Sequence, residues 1–242
     1  VHSIHDLNRL KALEITQNVS LLSHGITDLL PKVNLLKYLK KKLKLTKTKR
    51  IASYGFCLPG KGYKELIRAI GLLKETDIEV SLTIYSAIYS EQYKYVYTEL
   101  KELIQDLKLD NLVSIETEYM TDEDTLNALS LFDCIVFPYQ GSNESSSASV
   151  RQGIASLRPV LVTPVDIFSD ASDLVDYLPG RTSQDIADGI YQWFKSNQFR
   201  LYDSNYENRK KLLNKRRFSY LRKRLINTLK SLEINCTFRN SV

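Results

Sequence analysis

Cysteine and histidine are both scarce in this chain, with three of each in 242 residues. The cysteines show no paired spacing, which argues for a reducing compartment and against a disulfide framework. His2 and His5 stand near the start of the chain, and no cluster has the spacing of a zinc site. No apolar run reaches the roughly 18 residues needed to span a bilayer, and no secretory signal is visible. These features read as a cytoplasmic protein. No aromatic and basic strand pattern accompanies the basic residues, so specific reading of RNA or DNA is not expected. Repeats of fixed period and low-complexity linkers are also missing. The chain opens on Val1 in mid-pattern, which reads as a fragment or a processed piece.

What remains is the composition of an ordinary globular protein, 43% hydrophobic and 26% charged. The net charge of +6 is unevenly spread. Residues 37–50 hold eight Lys or Arg and no acid, and residues 200–230 hold eleven against Asp203 and Glu207. Removing those two patches leaves the rest of the chain eleven charges acidic.

The apolar pattern alternates strands and helices. Residues 1–26 read as a helix (Asp6 to Leu13), a strand (Val19 to Leu22) and a loop at His24-Gly25, and residues 27–49 as a basic linker or helix. Strands are predicted at Ile51–Gly55, Val80–Tyr85, Leu112–Ile115, Cys134–Phe137, Val160–Thr163 and Leu174–Leu178. Helices are predicted at Tyr63–Lys74, Tyr93–Leu107, Asp122–Leu131 (capped by Thr121) and Ser183–Phe194. Short connections between alternating strands and helices predict a doubly wound, Rossmann-like parallel sheet over residues 50–200. Residues 201–242 form a basic terminal helix and tail, with Phe218, Leu221, Leu225, Leu229 and Leu232 at helical spacing. That helix either packs back on the fold or attaches to an anionic membrane surface.

Two stretches carry chemistry. The first is Asp133–Pro164, DCIVFPYQGSNESSSASVRQGIASLRPVLVTP, read as strand, polar loop, helix and strand. Its helix is predicted to open near Glu144, where serines can cap free N–H groups, with Gln152 eight residues on along the same helix. In such a unit a ligand sits at the carboxyl ends of the strands, near helix N-termini that favour anions. A ligand with a sugar and a phosphate would use both the carboxylate and the amides; a surface helix with one stray Glu is the alternative. The second stretch is Gly55–Gly62, GFCLPGKG, close to a Walker A loop in spacing. The Ser or Thr that should follow Lys61 is Gly62, and Asp133 begins its strand rather than ending one, so the phosphate-loop reading fails. Glycines around Lys61 still allow close approach of backbone to phosphate.

Together these stretches resemble the retaining, group 1 (family 4) glycosyltransferases of the GT-B fold. In that family a Glu, seven residues and a second Glu precede a Gly-Leu-Pro-Val-like strand start. Glu144 falls on the first Glu, which binds donor-sugar hydroxyls, and Gln152 replaces the second, which holds the ribose. GFCLPGKG resembles the family's Gly-Arg-Leu-x-x-x-Lys-Gly loop, with Lys61 on the lysine that neutralises the departing diphosphate and Phe56 in place of the arginine.

The resemblance implies a carboxy-terminal, donor-binding GT-B half in which Glu144 and Lys61 serve catalysis. Gly55, Phe56, Gly62, Ser145, Ser146, Ser147 and Gln152 would bind donor, with Tyr119 and Met120 beside Glu118 contacting the base. Arg151 is either a compensating cation or, more simply, a residue of the helix surface. His24 is a hinge residue or a cleft contact, and Phe137 and Tyr139 are core or cleft wall. The implied reaction is transfer from a nucleotide-sugar with retention, without metal or cofactor, in polysaccharide or glycoconjugate synthesis of bacterial type. The acceptor would be a glycan or a lipid-linked molecule, the latter favouring peripheral contact at the inner membrane face. The resemblance also implies that residues 1–26 are the remnant of an amino-terminal acceptor domain, supplied by a further domain or a partner chain. On that reading the chain alone is inactive. The alternatives are a GT-B sugar-nucleotide epimerase or phosphorylase, and an inactive GT-B module that binds a nucleotide or partner.

Overall fold

A computed structural model describes residues 1–32, 48–196 and 206–239, with backbone only at 206–209 and 232–239. Most of the expected basic linker, 33–47, lies outside the described residues, as do 197–205 and 240–242.

Six strands form one sheet: β1 (Lys49–Tyr54), β2 (Val80–Tyr85), β3 (Val113–Glu116), β4 (Cys134–Phe137), β5 (Val160–Val162) and β6 (Asp176–Tyr177). Their order is β3-β2-β1-β4-β5-β6, and every neighbouring pair is parallel. The helices are α1 (Ile4–Ala12), α2 (Tyr63–Leu73), α3 (Lys94–Asp106), α4 (Asp122–Leu129), α5 (Ala148–Ala155), α6 (Ser183–Ser196), α7 (Tyr206–Arg216) and α8 (Phe218–Arg239).

The central strands β4 and β5 are buried at every residue, as strands covered on both faces must be. Successive side chains point to opposite faces, so Cys134 and Val136 join one core while Ile135 and Phe137 join the other. The first core is closed by α2, α3 and α6, through residues such as Leu66, Leu100 and Ile190. The second is closed by α4, α5 and a 3-10 turn at Asp166–Ala171, through Leu126, Val150 and Phe168. This is the doubly wound α/β, Rossmann-like fold that the sequence predicts, with the strand order reversing between β1 and β4.

Two local expectations are corrected. Residues 19–22 form no strand; the segment folds back on the chain start, where the Leu22 N–H donates to the Val1 carbonyl at 3.0 Å. The helix expected from Glu144 begins at Ala148 instead, so Glu144 and Gln152 do not share it. Ser142 accepts from the Glu144 N–H at 3.1 Å and Ser147 accepts from the Val150 N–H at 3.3 Å. Serine hydroxyls that bond nearby backbone compete with helix and favour caps, so the helix starts only at the last of them.

The amino- and carboxy-terminal segments pack together. Ile26 bridges to Arg217, the Ser219 N–H donates to Asp28 at 2.9 Å, and the Phe218 ring fills the space a side chain at Gly25 would need. Leu221 of α8 is buried, whereas Phe218, Leu225 and Leu229 remain largely exposed. Leu232 has no described side chain. Among the described residues, no helix is long and apolar enough to cross a membrane.

Candidate functional site

The order reversal opens a crevice between the loop after β1 and the loop after β4. Gly62 (φ 75°) begins α2, and a Cβ there would overlap the Pro138 carbonyl oxygen. The Gln140 N–H donates to the Gly60 carbonyl at 2.9 Å. Glycine is therefore required at 62 both by its left-handed backbone and by the neighbouring loop. Lys61, carried between these contacts, donates from Nζ to the Tyr139 hydroxyl at 2.8 Å and lies 4.1 Å from the ring centroid. Tyr139 is buried, and its hydroxyl is 3.4 Å from Ser147 Oγ at the start of α5. The lysine and the helix N-terminus are thus joined through one phenol.

Beside these loops, at the carboxyl ends of β1, β2 and β3 and the start of α5, lies a cavity of about 190 Å³. Gly55, Phe56, Tyr119, Met120 and Gln152, all expected donor-site residues, line it together with Glu118 and Ala87. Sequence reasoning did not anticipate Tyr54, Tyr85, Asp122 or Ser149 in its wall. Both tyrosines end strands, a position that aims a side chain at the carboxyl edge. Burial pushes the Tyr54 and Tyr85 phenols up, so at neutral pH they are hydroxyl groups.

Gln152 is held by Asp122. Its Nε2 donates to Asp122 Oδ1 at 2.9 Å, and a carboxylate can only accept, which fixes the amide orientation. Its Oε1 is buried without a hydrogen-bond partner. Such an unpaired acceptor at a cavity wall would pair with a ligand hydroxyl once the amide turns toward the cavity.

Glu144 and Ser145 lie elsewhere, in a second cavity of about 170 Å³ shared with Ser3, His5, Asp6 and Arg9 of the amino-terminal segment and with Asp166. His5 Nε2 stands 3.9 Å from the Asp166 carboxylate. Ser146 is half-buried in the bend before α5. Ser147, expected as a donor contact, is buried with its hydroxyl committed to the helix cap.

Arg151 is not on the helix surface. It is buried, paired with Asp170, and donates to the Ser147 carbonyl. Burial pushes the Asp170 carboxyl up and the Arg151 guanidinium down, against the pull of each on the other. Arg216 at the end of α7 donates to the Asp170 carbonyl and pairs with Asp173 at 2.8 Å. His24 is half-buried beside this network and bonded through Nδ1 to the Gly25 carbonyl at 3.0 Å. Burial lowers its tendency to take a proton. Among the described residues no group of three or more His, Cys, Asp or Glu side chains is arranged to hold a metal ion.

No family model and no curated protein sequence matches the chain. Solved structures do. A glycosyltransferase from Rickettsia africae superimposes with a TM-score of 0.73 at 17% identity, over 94% of this chain and 61% of its own. Sucrose-phosphate synthase from Thermosynechococcus elongatus gives 0.74 at 16%, over 97% and 58%. HepE from Anabaena, solved with UDP and glucose, gives 0.72 at 15%, over 88% and 57%. The chain thus spans about three fifths of the length of these proteins. Its α/β, Rossmann-like fold is the one found in these glycosyltransferases.

Proposed function

We propose that the chain binds the nucleoside diphosphate of a nucleotide-sugar in the crevice between β1 and β4, as the donor-binding part of a retaining glycosyltransferase. One observation carries the reading: a single cavity is lined by Gly55, Phe56, Tyr119, Met120, Gln152 and the start of α5, whose capping Ser147 is linked to Lys61 through the Tyr139 hydroxyl. The likeness to HepE, which was solved with UDP-glucose, supports a donor of that class.

On this reading the nucleoside occupies the 190 Å³ cavity, and a ribose hydroxyl donates to Gln152 Oε1. The diphosphate meets Lys61 and the free N–H groups of α5, which are fixed before the charge develops. Glu144, exposed in the neighbouring cavity, orients the sugar by accepting from its hydroxyls and does not attack it. The acceptor, a glycan or a lipid-linked molecule, approaches from the open side of the crevice, and the sugar is transferred with retention in glycan assembly. A second reading, a module that binds nucleotide without catalysing transfer, is favoured by Phe56, a half-exposed phenyl ring where a cation would serve the leaving group.

Calorimetric titration of UDP-, GDP- and dTDP-sugars in the presence of a chelator tests the site. Lys61→Ala and Glu144→Ala should each weaken binding, by roughly ten- to a hundredfold for a lost charge-assisted bond. Unchanged affinity in both variants would sink the assignment. Slow release of free sugar from the bound donor distinguishes the transferase from the inert module.

A further inference from the structure

We propose that Arg181 is a second phosphate-binding cation of this site, tied to the loop that carries Lys61; the inference rests on the nucleoside diphosphate reading above. Loops 55–62, 86–90, 117–121, 138–147, 163–165 and 178–182 leave the carboxyl ends of the six strands, and Lys61 and Arg181 are the two Lys or Arg they contain. A diphosphate carries more negative charge than one ammonium neutralises, and a guanidinium matches phosphate oxygens two at a time. Phe56 offers no charge, and Arg151 is buried in its pair with Asp170. Arg9 faces the cavity that also holds Asp6, Glu144 and Asp166.

The fold ties Arg181 to Lys61's loop. Arg181 Nη1 donates to the Gln140 carbonyl at 2.6 Å, and Gln140 Nε2 donates back to the Arg181 carbonyl at 2.9 Å. The same Gln140 amide stands 3.2 Å from where a Gly62 Cβ would be, and its backbone N–H binds Gly60. One residue therefore fastens the loop after β6 to Gly60, next to Lys61, and lies close against Gly62. The carboxylate closest in sequence, Asp185, is engaged by the Thr182 N–H at 3.0 Å and hydroxyl at 2.7 Å, as a helix cap. Arg181 itself is exposed, so its other N–H groups are accessible to a ligand.

The test is titration of UDP, GDP and dTDP, and of the matching nucleosides, into the wild-type chain, Arg181→Gln, Arg181→Lys and Gln140→Ala. Thermal unfolding by circular dichroism confirms that each variant folds. Arg181→Gln should lose about tenfold in affinity for the diphosphate that the wild type binds, as one charge-assisted contact is worth. Its affinity for the nucleoside should be unchanged. Arg181→Lys should recover part of the loss, and Gln140→Ala should fall between it and the wild type. Equal diphosphate affinity in wild type and Arg181→Gln, or an equal loss for the nucleoside, overturns the role of Arg181 while leaving the site standing. A wild type that binds no diphosphate overturns both.

Discussion

Gln152 departs from the glutamate of the resembled family, yet on the proposed reading it keeps the same task. A glutamate at this position would accept from a ligand hydroxyl; the glutamine still presents Oε1, because Asp122 has taken its amide nitrogen. The pair makes an unusual expectation. Gln152→Glu, which restores the residue of the resembled family, should weaken donor binding at neutral pH rather than improve it. It places two carboxylates at hydrogen-bond distance, and like charges so close favour holding one proton between them. The loss should therefore shrink as the pH is lowered from about 8 to about 5, where that proton is available. Gln152→Ala should lose affinity without this dependence. Titrations of the two variants at both pH values decide the matter; a Gln152→Glu variant that binds more tightly at neutral pH would refute it. The sequence identified Gln152 but not Asp122, because the two lie 30 residues apart and meet only when α4 packs beside α5.

Among the elements, those legible beforehand were the ones whose pattern is set by burial. Cys134–Phe137 is a continuous apolar run because both faces of β4 are covered, and Val80–Tyr85 alternates because only one face of β2 is buried deeply. The start of α5 was misplaced by four residues because its serines suit either a first helical turn or the turn that precedes it. The burial of Arg151 is hidden in the sequence for a similar reason: its partner Asp170 belongs to a 3-10 turn that no apolar period marks. The loop before α2 makes the element-scale prediction. Gly62→Ala asks a non-glycine residue to hold φ 75° and drives a methyl group into the Pro138 carbonyl. The left-handed backbone alone costs about 1–2 kcal/mol, and separating the two loops removes Lys61 from its place against Tyr139. Denaturant unfolding should show that loss of stability, and donor titration a larger loss than the stability change explains. Full retention of both would mean the loops are free to part.

At the scale of the whole molecule, the strand order sets what the chain can and cannot do alone. Reversal between β1 and β4 makes a crevice, and packing on both faces of the sheet seats it on a closed core. Catalysis asks for more. Tyr119 is 77% exposed and Phe56 39%, and Glu144 is exposed as well. The first two leave the 190 Å³ cavity open to water, and Glu144 leaves the neighbouring cavity open as well. The chain also spans only 57–61% of the glycosyltransferases it superimposes on. Holding an acceptor hydroxyl in line with the reacting carbon supplies roughly 7–11 kcal/mol in well-oriented reactions. We therefore predict that these 242 residues bind the donor but transfer its sugar poorly, with hydrolysis by water the main slow reaction. Supplying a domain that covers the crevice, as a fused segment or a separate chain, should raise transfer while leaving donor affinity within a few-fold. The measurement is radiolabelled donor turnover with and without that domain, scored separately for transferred and free sugar. Efficient transfer by the monomeric 242-residue chain would show that the open crevice already positions both substrates.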